Sequence, residues 1–151
     1  MTRTGLFAAL PEGHRGAMMS LAREVSFPLG ARIFEEGTRA DRFWVVRTGS
    51  VDLDLRVPGR RPAVVDVVGP GELMGWSWLC PPHMWHLGAE ATSPVRAWEF
   101  DAEAVIELCG EDPALDHALL IYVVEAIGRR LRSARTCLLD LYSPSGSGEP
   151  P

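Results

Sequence analysis

Residues 25–55, VSFPLGARIFEEGTRADRFWVVRTGSVDLDL, decide the fold. Short apolar segments are cut by glycine or proline every few positions, the pattern of brief strands joined by tight turns. Ser26 to Gly30 ends in a turn, Ala31 to Phe34 reads as a brief strand, and Glu35-Glu36-Gly37 turns again. Phe43 to Val46 is a strong strand. Val51-Asp52-Leu53-Asp54-Leu55 alternates strictly, which predicts a half-buried strand. Working outward, Pro58 to Pro62 is a polar hairpin loop, Ala63 to Val68 its returning partner, and Pro94 to Phe100 the last strand. Short strands at this spacing predict a sandwich or barrel.

The flanks have a different period. Residues 7–24 read as one or two short helices, with Pro11 in a first turn and Leu10, Met18 and Leu21 on one face. Asp101 is placed to cap a helix through about Cys109, and Gly110 to Pro113 breaks it. A long helix follows from about Pro113 to Leu141. Along it Leu120, Val123 or Val124, Ile127, Leu131, Ala134, Leu138 and Leu141 recur at threes and fours, one continuous apolar stripe. A stripe that long predicts docking on the barrel at its start and on a partner helix further along, as in a parallel homodimer. The class expected is α+β, mainly β: a roll at about 25–100, helices at about 101–142, and a disordered tail at 143–151. The single domain would span residues 1–142.

The chain has 151 residues, enough for one hydrophobic core. Its formal net charge of −5 argues against a nucleic-acid surface. No apolar run is long enough for a membrane span, and residues 1–13 lack the pattern of a signal peptide, so the cytoplasm is the expected location. Cys80, Cys109 and Cys137 are odd in number and far apart, which predicts reduced thiols, at least two of them packed as small hydrophobes.

One further stretch stands out. Residues 69–91, GPGELMGWSWLCPPHMWHLGAEA, open with a glycine-rich turn and contain no lysine or arginine. Glycines so placed free backbone N–H groups to point into one concavity, which can cradle an anion without a charged side chain.

The order of helix, roll, short helix and long helix resembles a cyclic-nucleotide-binding domain, the sensor part of catabolite-activator-type regulators and of kinase regulatory subunits. The residues that carry the resemblance are Phe27, Gly30, Ile33-Phe34, Gly37, Ala40-Asp41, Phe43-Trp44, Val46, Gly49 and Val51, followed by Gly69-Pro70-Gly71-Glu72-Leu73-Met74-Gly75. It runs from about Leu6 to Tyr142 and implies an eight-stranded antiparallel β-roll, jelly-roll-like, whose phosphate-binding cassette begins at Gly69.

In that family a glutamate after the second cassette glycine binds the ribose, and an arginine about ten residues later pairs with the phosphate. Here Trp76 stands at the glutamate position, and Trp85 or His86 at that of the arginine, followed by Leu87-Gly88. A hydrogen bond to a charged group contributes about 1.5–3 kcal/mol. Losing both implies cyclic AMP binding weaker by about 3–6 kcal/mol, on the order of 10² to 10⁴-fold.

The candidate ligand site is therefore Gly71, Glu72, Leu73, Gly75, Trp76, Ser77, Trp85 and His86. The amides of Gly75, Trp76 and Ser77 would serve as anion donors at the start of a short helix, and a protonated His86 could replace the arginine. The tryptophans can stack on a planar ligand or simply fill the core. In the family a residue of the long helix caps the base, which brings Arg132 or its neighbours Arg129, Arg130 and Arg135 into question; otherwise these form a solvated face.

The expected function is a non-enzymatic regulatory module, without a DNA-binding domain, whose ligand is a weakly bound cyclic nucleotide or another small anion. A ligand-free module docking to an unknown protein partner is the alternative. A cupin-like metalloenzyme using Cys80, His83 and His86 with Glu72 or Glu90 is a third, and no metal or other cofactor is expected.

Overall fold

The structure, a computed structural model, describes residues 5–142, so the tail expected at 143–151 lies outside the described residues. The strands are β1 (Arg23–Phe27), β2 (Arg32–Phe34), β3 (Arg42–Thr48), β4 (Val51–Leu55), β5 (Ala63–Val68), β6 (Leu73–Met74), β7 (Gly88–Ala91) and β8 (Val95–Asp101). They form two four-stranded sheets, in the orders β1-β8-β3-β6 and β2-β7-β4-β5, with every pairing antiparallel. This is the mainly β, eight-stranded roll that the family resemblance implies. Gly49 joins β3 to β4 at a φ of +98°, and a Cβ there would run into the Pro94 carbonyl and Val95.

Between the sheets lie two aromatic columns. In one, Phe43 stacks on Trp78 at 4.6 Å and on Phe100 at 5.0 Å. In the other, Phe34 stacks on Trp85 at 3.9 Å and on Trp44 at 5.6 Å. Each column begins with a tryptophan of the stretch 69–91. Burying such rings supplies much of the hydrophobic stabilisation and adds ring-to-ring contact geometry.

The alternation of Val51 to Leu55 is broken where sequence alone shows no reason for it. A register shift between Leu53 and Asp54, in the pairing with β5, leaves Asp54 only 6% exposed. Arg32 covers it with two parallel bonds, Nη1 to Oδ2 at 2.6 Å and Nη2 to Oδ1 at 3.1 Å.

The helices are α1 (Leu6–Ala9), α2 (Arg15–Met19), α3 (Ala102–Glu111) and α4 (Pro113–Tyr142), with a 3-10 turn over Glu12–His14. Asp101 caps α3 by accepting from the Ala104 N–H at 3.1 Å. Asp112, between α3 and α4, accepts from the Leu115 N–H at 3.2 Å and pairs with His14. Burial alone would push the Asp112 carboxyl up, but His14 and the Leu115 N–H hold it below the usual carboxylate range. At the other end, the Leu6 N–H donates to the Gly71 carbonyl at 2.8 Å, while Gly71 donates to the Val46 carbonyl at 2.7 Å. The N-terminal segment is thus fastened both to the cassette turn and to the start of α4.

The apolar stripe of α4 needs correction. The face that packs on the roll is Leu115, Leu119, Tyr122, Val123 and Ala126, all buried. Of the residues expected to dock at the start of the helix, Val123 does so, whereas Leu120 and the alternative Val124 are 41% and 62% exposed; further along, Leu131 is 70% and Leu138 54% exposed. The helix carries two offset stripes, one for the roll and one presented outward. No helix among the described residues is long and apolar enough to cross a membrane.

Of the three cysteines, Cys109 is buried, and burial, with Asp116 and Asp112 nearby, pushes its thiol up to about 11. Cys80 is exposed beside two prolines, and the side chain of Cys137 lies outside the described part of the structure.

Iodoacetamide at pH 8 is expected to alkylate Cys80 well before Cys109, checked by peptide mass spectrometry of the folded protein. Arg32→Met should lower unfolding free energy by about 2–3 kcal/mol in urea titrations, because Asp54 is left buried and unpaired. Arg32→Met combined with Asp54→Leu should recover most of that loss.

Candidate functional site

The cassette turn is built from glycines and one carboxylate. Glu72, 8% exposed, accepts from the Gly69 N–H at 2.7 Å and so closes the turn. Leu73 is buried in β6 opposite Val45. Gly75 lies at a φ of +97°, and a Cβ there would fall 2.7 Å from the Trp85 ring. Both its backbone and its lack of a side chain are therefore required. After it comes only a three-residue 3-10 turn, Ser77–Leu79. The expected helix N-terminus is too short to present an aligned row of amides to an anion.

Beside this turn lies a cavity of about 160 Å³, lined by Phe34, Leu53, Gly75, Trp76, Ser77, Trp85, His86, Leu87 and Arg130. Strands β2 and β4, the cassette, residues 85–87 and α4 each contribute to its lining. Five expected residues, Gly75, Trp76, Ser77, Trp85 and His86, are brought together here. Gly71, Glu72 and Leu73 lie outside the lining, in the turn and in β6. Trp85 is 5% exposed, packed on Phe34, whereas His86 is exposed at the mouth with Nδ1 3.3 Å from the Ser77 hydroxyl. Trp78 belongs to the core: it stacks on Phe43 and donates its indole N–H to the Gly75 carbonyl at 3.0 Å.

Of the four arginines considered on that helix, with Arg132 first, it is Arg130 that lines the cavity. Arg132 is exposed, in a shallow surface groove with Arg129, Ser133 and Thr136. Arg130 instead lays its guanidinium 3.9 Å over the Trp76 ring and pairs its Nε with Asp66 Oδ2 at 3.0 Å. The side chains of this pair are 12% and 8% exposed. The contact joins α4, the cassette and β5 at one point, combining cation–π attraction with a largely desolvated ion pair. The signal for it is in the sequence. Leu119, Val123 and Ala126 form the inward stripe, and its next position is Arg130.

The residues considered for a metal do not converge. His83 donates Nδ1–H to the Trp78 carbonyl at 3.0 Å, Cys80 is exposed, and His86 faces the cavity mouth. Among the described residues, no group of three or more His, Cys, Asp or Glu side chains is placed to hold a metal ion.

The cyclic nucleotide-binding domain family model matches residues 24–112. A CRP-like cAMP-activated global transcriptional regulator of Mycobacterium tuberculosis is 27% identical over 141 residues, covering 93% of this chain and 61% of that protein. The chain thus spans less than two thirds of that relative's length. Among solved structures, the N-terminal domain of a transcriptional regulator from Streptomyces coelicolor is similar, with a TM-score of 0.68 and 30% identity over 89% of this chain and 91% of that one. The Thermus thermophilus catabolite activator protein gives a TM-score of 0.72 at 26% identity, over 91% of this chain and 62% of that chain. With the roll, the turn glycines and the cavity beside residues 69–91, these matches assign the chain to the cyclic nucleotide-binding domain family.

Proposed function

We propose that this domain is a non-enzymatic regulatory module in which occupancy of the cavity under α4 biases the position of that helix. The observation that carries the reading is Arg130, which lines the cavity, stacks on Trp76 and belongs to α4. A ligand entering beside Trp76 would alter the contact that fixes the helix, and the helix would pass the change on. The cassette holds Trp76 and Trp85 or His86 where the family has its ribose and phosphate readers, so cyclic AMP is bound weakly or another ligand is sensed. The outward stripe on α4 supports a homodimer. Leu120, Val124, Leu131, Leu138 and Leu141 are exposed, and with Ile127, which also touches the core, and Ala134 they alternate steps of four and three, the spacing of a coiled-coil seam.

A second reading is favoured by the small cavity and by the burial of Trp85 inside it. On that reading the pocket is structural, and the domain docks to a protein partner without a ligand.

Calorimetric titration with cyclic AMP should give a dissociation constant on the order of millimolar; micromolar binding would contradict the reading of an altered cassette. Sedimentation equilibrium should return twice the chain mass. Leu131→Glu with Leu138→Glu should reduce it to one chain, with circular dichroism unchanged. A monomeric native protein would remove the dimer.

A further inference from the structure

The cavity is small and mostly apolar, and the one arginine in its lining is already paired with a carboxylate. We propose that its ligand is an uncharged planar molecule of one-ring size carrying a single polar group, such as a phenol, and not a phosphate ester. This rests on the cavity being a sensing site and narrows what that site takes.

Size is the first argument. Sites for drug-sized ligands start at about 300 Å³, whereas this cavity holds about 160 Å³. Apolar cavities of about 150 Å³ admit a benzene ring. A base, a sugar and a phosphate together need far more room.

Shape and chemistry agree. Phe34, Leu53, Trp76, Trp85 and Leu87 supply apolar wall. Phe34 and Trp85 stack on each other at 3.9 Å and so form one continuous aromatic wall, a surface that suits contact with another ring better than with a tetrahedral group. The polar groups at the lining are Ser77 and His86, side by side at the mouth, and Arg130. Ser77 and His86 can satisfy one hydroxyl or N–H and so fix which way round a ring sits.

Charge decides against an anion. Arg130 gives its Nε–H to Asp66, and both side chains are largely out of water. A second carboxylate or a phosphate beside that guanidinium would meet the Asp66 charge within the same low-dielectric region and would lose its own hydration. The three-residue 3-10 turn after Gly75 adds no helix dipole to offset this. Arg130 serves as wall and as a tie to Trp76.

The test follows the tryptophan indole N–H resonances by NMR while phenol, benzoate and cyclic AMP are titrated separately into the full chain. Phenol is expected to shift the Trp76 and Trp85 signals saturably, with benzoate at least about tenfold weaker. Leu87→Trp, which fills the cavity from its half-buried side, should abolish the phenol response while circular dichroism stays native. Asp66→Asn unmasks the Arg130 charge and should raise benzoate affinity by about tenfold or more. Benzoate binding the native protein as tightly as phenol would overturn the charge argument, and a phenol response that survives Leu87→Trp would place the ligand elsewhere. A response to cyclic AMP alone would overturn this inference but leave the sensing function standing. Silence toward phenol at about 10 mM, a concentration at which even millimolar affinities register, would overturn this inference.

Discussion

Trp85 sits where a side chain at position 75 would have to go, and much of the site follows from that one exclusion. The ring lies against the bare backbone of Gly75 and stacks on Phe34 behind it. The cassette turn is thereby seated on the core and not suspended above it, and the space left beside the turn is what the tryptophan does not fill. A smaller residue at 85 would enlarge that space and loosen the turn together. In the family's pattern this region holds a cation reaching for phosphate. Here Trp85 is buried on Phe34 in the equivalent stretch, so the wall of the cavity is also part of the core.

Helix α4 is placed by a related economy. Arg130 is in contact with strand, cassette and helix at once, through Asp66, Trp76 and its own backbone in α4. A largely buried ion pair is weak evidence for stability, because desolvation offsets most of the attraction. Its effect here is on geometry: with the buried face of Leu115, Leu119, Tyr122, Val123 and Ala126, it holds one rotation of α4 and so which residues face outward. The outward set, with Val124 and Leu131 among its most exposed members, is a consequence of that rotation.

The roll was legible because turns are encoded locally. Gly30, Gly37 and Gly49 all adopt positive φ, and the residues between them alternate as strands do. The Asp101 cap was equally local. Strand β6 was not read, since two residues carry no periodicity and it exists only by pairing with β3. Nor was the burial of Asp54, which depends on Arg32 from another strand. The helix showed the limit of pattern reading most clearly. Two apolar stripes offset by one residue, through Leu119 and Val123 and through Leu120 and Val124, read as one when no partner surface is known. Arg130 was obscured for the same reason: it lies on the inward stripe, and a charge there looks like solvent-facing helix until the stripe is assigned.

The bond from Leu6 to Gly71 gives the molecule a closed mechanical circuit. The cassette turn holds α1, the segment after α1 carries His14, and His14 holds Asp112, the residue just before α4. Helix α4 is consequently hinged at both of its anchor points to the same turn, directly through Trp76 and indirectly through the first residues of the chain. Rotating α4 without moving the N-terminal segment requires breaking the His14–Asp112 pair. The small helices before the roll are therefore a second linkage between cassette and α4, and not only a cover for the core.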